Sequence, residues 1–135
     1  MRPEIIAEFI SKFGKAVELC AGYFYKIAYL LKEEGKILCV CDLNGEVEKI
    51  YTEKNIDFIR CDIRNPCEEL INLCKKADVI YSIRPPMELW EDILKCAKVS
   101  KCNCIIRPMY LDFNPELKLK LINYKGEVFL VKVYL

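Results

Sequence analysis

The alternation of strands and helices in this chain starts at Lys15-Ala16-Val17-Glu18-Leu19-Cys20-Ala21-Gly22, an apolar run that ends in a small-residue turn. A helix-like stretch follows, and two further apolar runs stop directly before Asp42 and Asp62. Asp42 stands twenty positions after Gly22. A strand, a glycine turn, a helix and an acid closing the next strand are typical of folds that hold an adenine nucleoside, whose ribose hydroxyls donate to the acid. The pattern therefore predicts a class of cofactor and leaves the substrate open.

Strand-like and amphipathic runs alternate over most of the chain. Strands are predicted at residues 15–20, 36–41, 56–61, 77–82 and 103–106. Helices are predicted at residues 3–13, 23–34, 45–54, 66–76 and 86–98, with Asn65 as the N-cap of the fourth. Five strands separated by helices predict a parallel sheet covered on both faces, with right-handed crossovers.

The C-terminal tail has a different pattern. Leu117, Leu119 and Leu121 alternate with lysines, a turn-like segment follows at residues 123–126, and a strand is predicted at residues 128–134. The tail therefore predicts an antiparallel hairpin at one edge of the sheet. The complete expectation is one three-layer α/β/α Rossmann-like domain over residues 1–135, with five parallel strands, a closing hairpin and an N-terminal helix.

The composition limits the classes of partner. The net charge of +1 gives no overall field for nucleic acid, so we expect a small-molecule ligand, and only lysines in the tail favour RNA. No apolar run reaches the roughly 18 residues of a membrane span, and no leader pattern is present, so a cytoplasmic protein is expected. Histidine and glutamine are absent while lysine, glutamate and isoleucine are frequent, which favours a thermophilic source. A homo-oligomer remains open.

The nine cysteines suggest either metal binding or core packing. Cys39 and Cys41, like Cys102 and Cys104, alternate within apolar strand-like runs, where cysteine serves as a small hydrophobic residue. No Cys-x-x-Cys occurs, and no histidine can complete a mixed zinc site. We therefore predict core packing and no metal, with a cluster, zinc or a disulfide as the alternatives.

Two segments resemble a known family. The runs at residues 17–24 and 80–89 are similar to those of an uncharacterised archaeal protein family with the fold of a small class I S-adenosylmethionine (SAM) methyltransferase. The resemblance extends from Gly14 to Met109. It implies the Rossmann-like fold and a SAM pocket, and it supplies no activity.

The methyltransferase pattern on the first strand is acid-x-Gly-x-Gly-x-Gly. Glu18 matches the acid and Gly22 the second glycine, while Cys20 and Phe24 replace the first and third glycines. The resemblance implies a cofactor-binding set that consists of Glu18, Cys20, Gly22, Asp42, Asp62, Ile63 and Ser82.

The resemblance implies a specific role for two acids in this set, and all three acids also have an alternative interpretation. The resemblance places Asp42 at the ribose and Asp62 near the adenine amino group, with Ile63 beside the base. Asp42 and Asp62 are also good turn residues, since each precedes an asparagine-containing turn. The alternative for Glu18 is a surface ion pair with a lysine, although its apolar strand disfavours it.

The tripeptide Ile-Arg-Pro occurs at the ends of the fourth and fifth predicted strands, with its arginines at Arg84 and Arg107. Ligands of open α/β sheets bind at that edge, and two guanidinium groups there are suited to clamp a carboxylate or phosphate. The substrate-binding set is therefore Arg84, Pro85, Pro86 and Arg107. The prolines are expected to hold the arginines extended. Surface ion pairs with Glu88 or Asp112 are the alternative.

Two functions remain. The first is SAM-dependent methyl transfer to a small or anionic acceptor, with no catalytic residue assigned. The second is a regulatory module or subunit that binds SAM or another adenine nucleotide without chemistry, which the replaced glycines favour.

Overall fold

The computed structural model describes residues 1–110 and 112–134, and their strands form one seven-stranded sheet. The strands are β1 (Ala16–Glu18), β2 (Ile37–Asp42), β3 (Phe58–Arg60), β4 (Val79–Ile83), β5 (Asn103–Arg107), β6 (Lys120–Tyr124) and β7 (Glu127–Lys132). Their order across the sheet is β3-β2-β1-β4-β5-β7-β6. Strands β1 to β5 are parallel, while β7 pairs antiparallel with β5 and with β6. The predicted five parallel strands and closing hairpin are confirmed.

Helices cover both faces of the sheet. They are α1 (Pro3–Ser11), α2 (Lys26–Glu33), α3 (Gly45–Glu53), α4 (Glu68–Lys76) and α5 (Trp90–Ser100). Helices α4 and α5 bury their apolar residues on one face together with Val17 and Ile80. Helices α1, α2 and α3 cover the opposite face. The three predicted layers are therefore present. In the part of the chain that the structure describes, no helix has the length and apolarity needed to cross a bilayer.

Several predicted helix boundaries are wrong, and each error falls at an irregular turn. Helix α4 begins at Glu68 with Cys67 in the N-cap position, so Asn65 is not its N-cap. The backbone N–H of Asn65 instead donates to the carbonyl of Asp62, 2.9 Å away. Helix α2 starts at Lys26, three residues later than predicted. The predicted helix at 86–98 opens as a short 3₁₀ turn (Met87–Leu89) before α5.

The hairpin is shorter than its leucine alternation suggested. Pro115–Leu117 forms a 3₁₀ turn, and Lys118 has a left-handed φ of 54°, so β6 starts only at Lys120. Strand β7 begins at Glu127, one residue before the predicted strand, because Glu127 pairs with Tyr124 across the turn. The early start of β7 gives Glu127 a role in the site described below.

The cysteines pack as predicted. Cys39, Cys41, Cys102 and Cys104 are buried, and all nine cysteines are free thiols. Strands β1 and β4 separate the two Cys-x-Cys strands, β2 and β5. Burial raises the pKa of Cys39 and of Cys102 to about 12, so these thiols stay neutral. Among residues 1–110 and 112–134, no group of three or more acidic, cysteine or histidine side chains is arranged for a metal ion.

Candidate functional site

A hollow of about 430 Å³ lies at the carboxyl ends of β1, β2 and β3, and we call it the acid cavity. It is lined by Cys20, Cys41, Asp42, Leu43, Cys61, Asp62, Ile63, Arg64, Glu88 and Leu89. Its volume falls within the roughly 300–1,000 Å³ of small-molecule pockets. Four of the predicted cofactor residues, Cys20, Asp42, Asp62 and Ile63, therefore meet at one site. The parallel strands bring them together because their carboxyl ends share an edge.

Glu18, Gly22 and Ser82 do not line this cavity, although all three were predicted to bind the cofactor. Ser82 is buried and its Oγ donates to the carbonyl of Leu19, 2.7 Å away. Glu18 is also buried, and the hydroxyl of Tyr81 donates to its Oε1 over 2.6 Å. These contacts join the end of β1 to β4, so Glu18 and Ser82 hold the two strand ends together.

The surface ion pair considered for Glu18 is wrong, because this side chain is fully buried. Burial raises the pKa of Glu18 to about 8, against the lowering effect of the Tyr81 hydrogen bond, and the nearby charge of Asp42 raises it further. Its Oε2 has no hydrogen-bond partner among the described residues. Glu18 is therefore a neutral acid at pH 7, a state that follows from its burial in an apolar strand.

The turn between β1 and α2 keeps glycine-like geometry although it holds one glycine. Cys20 has a φ of 54° and Gly22 a φ of 62°, both left-handed. A Cβ added to Gly22 would meet no atom within 4 Å, so space is open beside it. Phe24 is exposed and does not line the acid cavity, so the third-glycine position does not block it. The Cys20 thiol does line it.

Two side chains hold this turn in place. The backbone N–H of Gly22 donates to Oδ2 of Asp42 over 2.8 Å. The hydroxyl of Tyr51, on α3, lies 3.1 Å from the carbonyl of Gly22 and 3.3 Å from that of Phe24. The sequence reasoning missed Tyr51, whose position in an amphipathic helix gives no signal for a hydrogen bond to a distant loop.

Asp42 serves as a turn residue and still has free capacity as an acceptor. Its Oδ2 accepts from Gly22 and its Oδ1 from the N–H of Asn44, each at 2.8 Å. An ionised carboxylate offers about four lone-pair sites, so two remain. The turn and ligand interpretations of Asp42 are therefore compatible.

Asp62 forms an ion pair with a residue that the sequence reasoning did not select. Nε and Nη2 of Arg64 donate to its two carboxylate oxygens, each at 3.1 Å. Hydrogen bonds from Arg64 hold the pKa of Asp62 below its usual value. Asp62 therefore stays ionised, and Arg64 adds a cation to the wall of the acid cavity. Arg64 follows Asp62 by two positions, and this short spacing was the feature of the sequence that could have indicated the ion pair.

The two predicted substrate arginines line a second hollow of about 630 Å³, which we call the hairpin cavity. It is lined by Met1, Arg84, Arg107, Pro108, Met109, Tyr110, Asp112, Phe113, Leu121, Gly126, Val128 and Leu130. Pro85 is buried and Pro86 is exposed, and neither lines this cavity. The ends of β4 and β5 therefore bring Arg84 and Arg107 to one cavity, whereas the predicted substrate residues Pro85 and Pro86 lie outside its lining.

The arginines depart from their predicted geometry in two ways. Arg107 pairs with Glu127, with 3.0 Å between Nη2 and Oε1, whereas Glu88 or Asp112 was the suggested partner. Arg84 was expected to be extended before Pro85, but its φ is 49°. Its N–H donates to the carbonyl of Arg107 over 2.6 Å, and this bond holds the turn at the end of β4.

Solved structures with this fold include methyltransferases. One is an S-adenosylmethionine-dependent methyltransferase from Clostridium acetobutylicum, with a TM-score of 0.59 and 15% identity over 93% of this chain. Another is TrmK of M. capricolum in complex with S-adenosylhomocysteine, with a TM-score of 0.55 and 14% identity over 93% of this chain. This chain spans 58% and 65% of those two proteins, less than two thirds of each. The likeness shows a class I methyltransferase Rossmann-like fold, which confirms the predicted fold class.

Sequence relatives give the family. A family model described as an uncharacterised protein family, UPF0146, matches residues 2–133. A UPF0146 protein of Methanocaldococcus jannaschii is 37% identical over 138 residues, which cover 98% of this chain and 97% of that protein. The resemblance noted in the sequence is therefore confirmed, and the chain belongs to the archaeal family UPF0146.

Proposed function

We propose that this protein binds SAM in the acid cavity. The observation that carries the proposal is the convergence of Asp42 and Asp62 on one hollow of about 430 Å³ at the strand ends. The open space beside Gly22 supports it, because a ligand can approach the backbone of this turn. The shared fold with a protein solved with S-adenosylhomocysteine supports it further.

The residues of the acid cavity suit an adenosine group. Asp42 would accept hydrogen bonds from the ribose hydroxyls with the lone pairs that Gly22 and Asn44 leave free. Asp62, kept ionised by Arg64, would accept from the adenine amino group. The apolar side chain of Ile63 would lie beside the base. This arrangement assigns an acceptor to the ribose hydroxyls, an acceptor to the adenine amino group and an apolar neighbour to the base.

Cys20 is compatible with this ligand although it replaces a glycine. Its left-handed φ of 54° keeps the turn in the conformation that glycine favours. Burial raises the pKa of its thiol to about 12, so the sulfur carries no charge at neutral pH. Cys20 therefore narrows the acid cavity by one small side chain without changing its charge.

We propose methyl transfer as the activity, with a small or anionic acceptor in the hairpin cavity. When bound, SAM supplies a methyl group on a positively charged sulfur. The chain's own contribution is to hold the acceptor close to the methyl group in the correct orientation. Such positioning of two reactants can supply a large part of a rate enhancement. Residues 84–89 link the two cavities, because Arg84 lines the hairpin cavity while Glu88 and Leu89 line the acid cavity.

The second candidate is a SAM-binding module without chemistry. It is favoured by Cys20, which replaces the first glycine of the methyltransferase pattern and lines the acid cavity. A guanidinium also cannot accept a hydrogen bond from an amine, so Arg84 would not hold an amino group for methylation.

Calorimetry with SAM, S-adenosylhomocysteine, NAD and ATP tests the binding proposal. We expect SAM and S-adenosylhomocysteine to bind, and Asp42→Ala to weaken both by about tenfold or more, as expected for the loss of charge-assisted hydrogen bonds. Asp57→Ala is the matched control, because Asp57 is an exposed acid outside the acid cavity. Equal affinity in wild-type and Asp42→Ala protein would contradict the proposal.

Transfer of a tritiated methyl group separates the two candidates. Wild-type protein with labelled SAM should label a component of a small-molecule extract if it is a methyltransferase. Asp42→Ala protein should label much less at subsaturating SAM. SAM binding without any transfer would favour the regulatory module.

A further inference from the structure

The hairpin cavity has an apolar wall that faces solvent. Leu121, Val128 and Leu130 contribute from the hairpin, and Met109 and Phe113 from the segment that precedes it. Leu121, Met109 and Phe113 are exposed. Exposed apolar side chains gathered around one hollow are a recognised sign of a binding site. The hollow therefore offers a surface for the apolar body of a ligand.

The charges around this wall favour an anion. Two arginines, Arg2 and Arg107, share the carboxylate of Glu127, which leaves one positive charge in excess. Arg84 makes no ion pair among the described residues, and Asp112 is the one carboxylate in the described lining. These five groups together carry a net positive charge, and among residues 1–110 and 112–134 no side chain or carbonyl accepts a hydrogen bond from the Arg84 guanidinium.

The backbone that carries Arg84 is fixed on both sides. Its N–H donates to the carbonyl of Arg107 over 2.6 Å. The indole Nε1 of Trp90 donates to the carbonyl of Pro85 over 3.2 Å, and both residues are buried. The left-handed φ of 49° at Arg84 is a strained conformation for a residue with a side chain, and such strain is concentrated at functional sites. Because this backbone is already fixed, the main chain at Arg84 loses little freedom when the side chain binds an anion.

We propose that the hairpin cavity binds a small molecule with an apolar body and one carboxylate or phosphate. The anion lies on Arg84, and the body lies on Leu121 and Phe113. This inference rests on the proposed function, since such a molecule would be the methyl acceptor. It assigns the anion to Arg84 alone, whereas the sequence predicted a clamp of two arginines, because Arg107 already pairs with Glu127.

Chemical-shift titration of the full chain tests this proposal with phenyl phosphate and phenylacetate as probes. Phenol, which lacks the anion, and inorganic phosphate, which lacks the body, are the comparison ligands. We expect at least one of the two amphiphilic probes to bind about tenfold more tightly than either comparison ligand and to shift the amides of Leu121 and Val128. Which of the two binds more tightly identifies the preferred anion.

Arg84→Gln should weaken the binding of the preferred probe by about tenfold. Lys75→Gln is the control, because Lys75 is an exposed cation on α4 outside both cavities and should leave binding unchanged. Equal probe affinity in Arg84→Gln and wild-type protein would overturn the proposal. Inorganic phosphate that binds as tightly as both probes would also overturn it.

SAM affinity, measured in the same samples, keeps this inference separate from the proposed function. Arg84→Gln should bind SAM as wild type does, because Arg84 does not line the acid cavity. If the protein does not bind SAM but still binds the probe through Arg84, the proposed function is wrong and the inferred class of ligand for the hairpin cavity stands. Sedimentation tests whether the hairpin cavity is instead a contact between two copies of the chain. If the protein is a dimer that Leu121→Lys dissociates, and no probe binds, the inference is overturned.

Discussion

At the scale of single residues, Glu18 is the group that departs furthest from ordinary chemistry. It is fully buried, it accepts one hydrogen bond from Tyr81, and its Oε2 has no partner among the described residues. An ionised carboxylate in such a place loses its hydration without full compensation, so the protonated form is favoured. The pKa of about 8 places its titration just above neutral pH.

The raised pKa predicts a pH dependence of stability with a definite sign. Between the ordinary value of 4.5 and about 8, folded Glu18 holds a proton that the unfolded chain releases. The free energy of unfolding therefore falls as pH rises through this window, by up to about 1.4 kcal/mol per pH unit. Glu18→Gln, which is always neutral, should flatten this fall. Urea unfolding at several pH values across the window measures it.

Tyr81→Phe is the companion variant for that experiment. It removes the donor to Glu18 Oε1 and keeps the ring that fills the core. Since this hydrogen bond lowers the pKa of Glu18, its loss should extend the pH-dependent window to higher pH. A wild-type stability that stays constant between pH 5 and pH 8 would show that Glu18 is not protonated in the folded protein.

Gly22 provides a second prediction at this scale, with Gly35 as its control. Both have left-handed φ values, 62° and 70°, and a Cβ would meet nothing within 4 Å at either position. Gly22→Ala and Gly35→Ala should therefore each cost about 1 kcal/mol of stability from torsional strain alone. Only Gly22→Ala should weaken SAM binding, because Gly22 lies in the turn held by Asp42. Equal SAM affinity in both variants would place the cofactor away from this turn.

At the scale of elements, the residue patterns predicted the strands and helices but not where the chain leaves them. Cys20, Arg84 and Lys118 adopt left-handed φ values of 54°, 49° and 54°, and local sequence preferences do not favour that region for side-chain-bearing residues. At Arg84 the cause is a hydrogen bond to Arg107 on the neighbouring strand. A contact with a distant residue therefore holds the turn at Arg84, whereas the N–H of Lys118 donates to the nearby carbonyl of Pro115.

The sequence likewise predicted some residues of the candidate site but not the ion pairs between them. Asp42 and Asp62 could be found because each closes an apolar run, and parallel strands bring such ends together. The pairings of Asp62 with Arg64 and of Arg107 with Glu127 could not be ranked among other charges of the sequence. Selecting an ion-pair partner requires the distance between side chains, and Glu127 enters only through the hairpin register.

The contact between α3 and the turn after β1 supports a prediction about Tyr51. Tyr51→Phe removes the donor to the carbonyls of Gly22 and Phe24 and should cost about 1 kcal/mol of stability. A less rigid turn should also weaken SAM binding severalfold. Tyr29→Phe is the control, because the described structure gives the Tyr29 hydroxyl no hydrogen bond. Calorimetry and thermal melting of both variants test it, and identical SAM affinities would contradict the role assigned to Tyr51.

At the scale of the whole molecule, the N-terminal helix and the C-terminal hairpin close the same edge of the fold. Phe9 of α1 stacks on Phe129 of β7 with 4.2 Å between ring centroids. Arg2, just before α1, donates to Glu127, and Arg107 at the end of β5 pairs with the same carboxylate. Glu127 is buried, and although burial alone would raise its pKa, the two arginines together lower it. One carboxylate therefore links both ends of the chain to the wall of the hairpin cavity.

This link predicts that Glu127 contributes far more to stability than an exposed ion pair. Glu127→Gln should cost about 3–5 kcal/mol, because it leaves the guanidinium of Arg107 mostly buried without a countercharge. Lys125→Gln removes the exposed pair with Glu8 on the same turn and should cost at most about 0.5–1 kcal/mol. The double variant Glu127→Gln and Arg107→Gln should recover part of the loss, since no buried charge is then unpaired. Denaturant unfolding of wild type, Glu127→Gln, Arg107→Gln and the double variant gives the coupling energy, and a coupling near zero would show that Glu127 and Arg107 act independently.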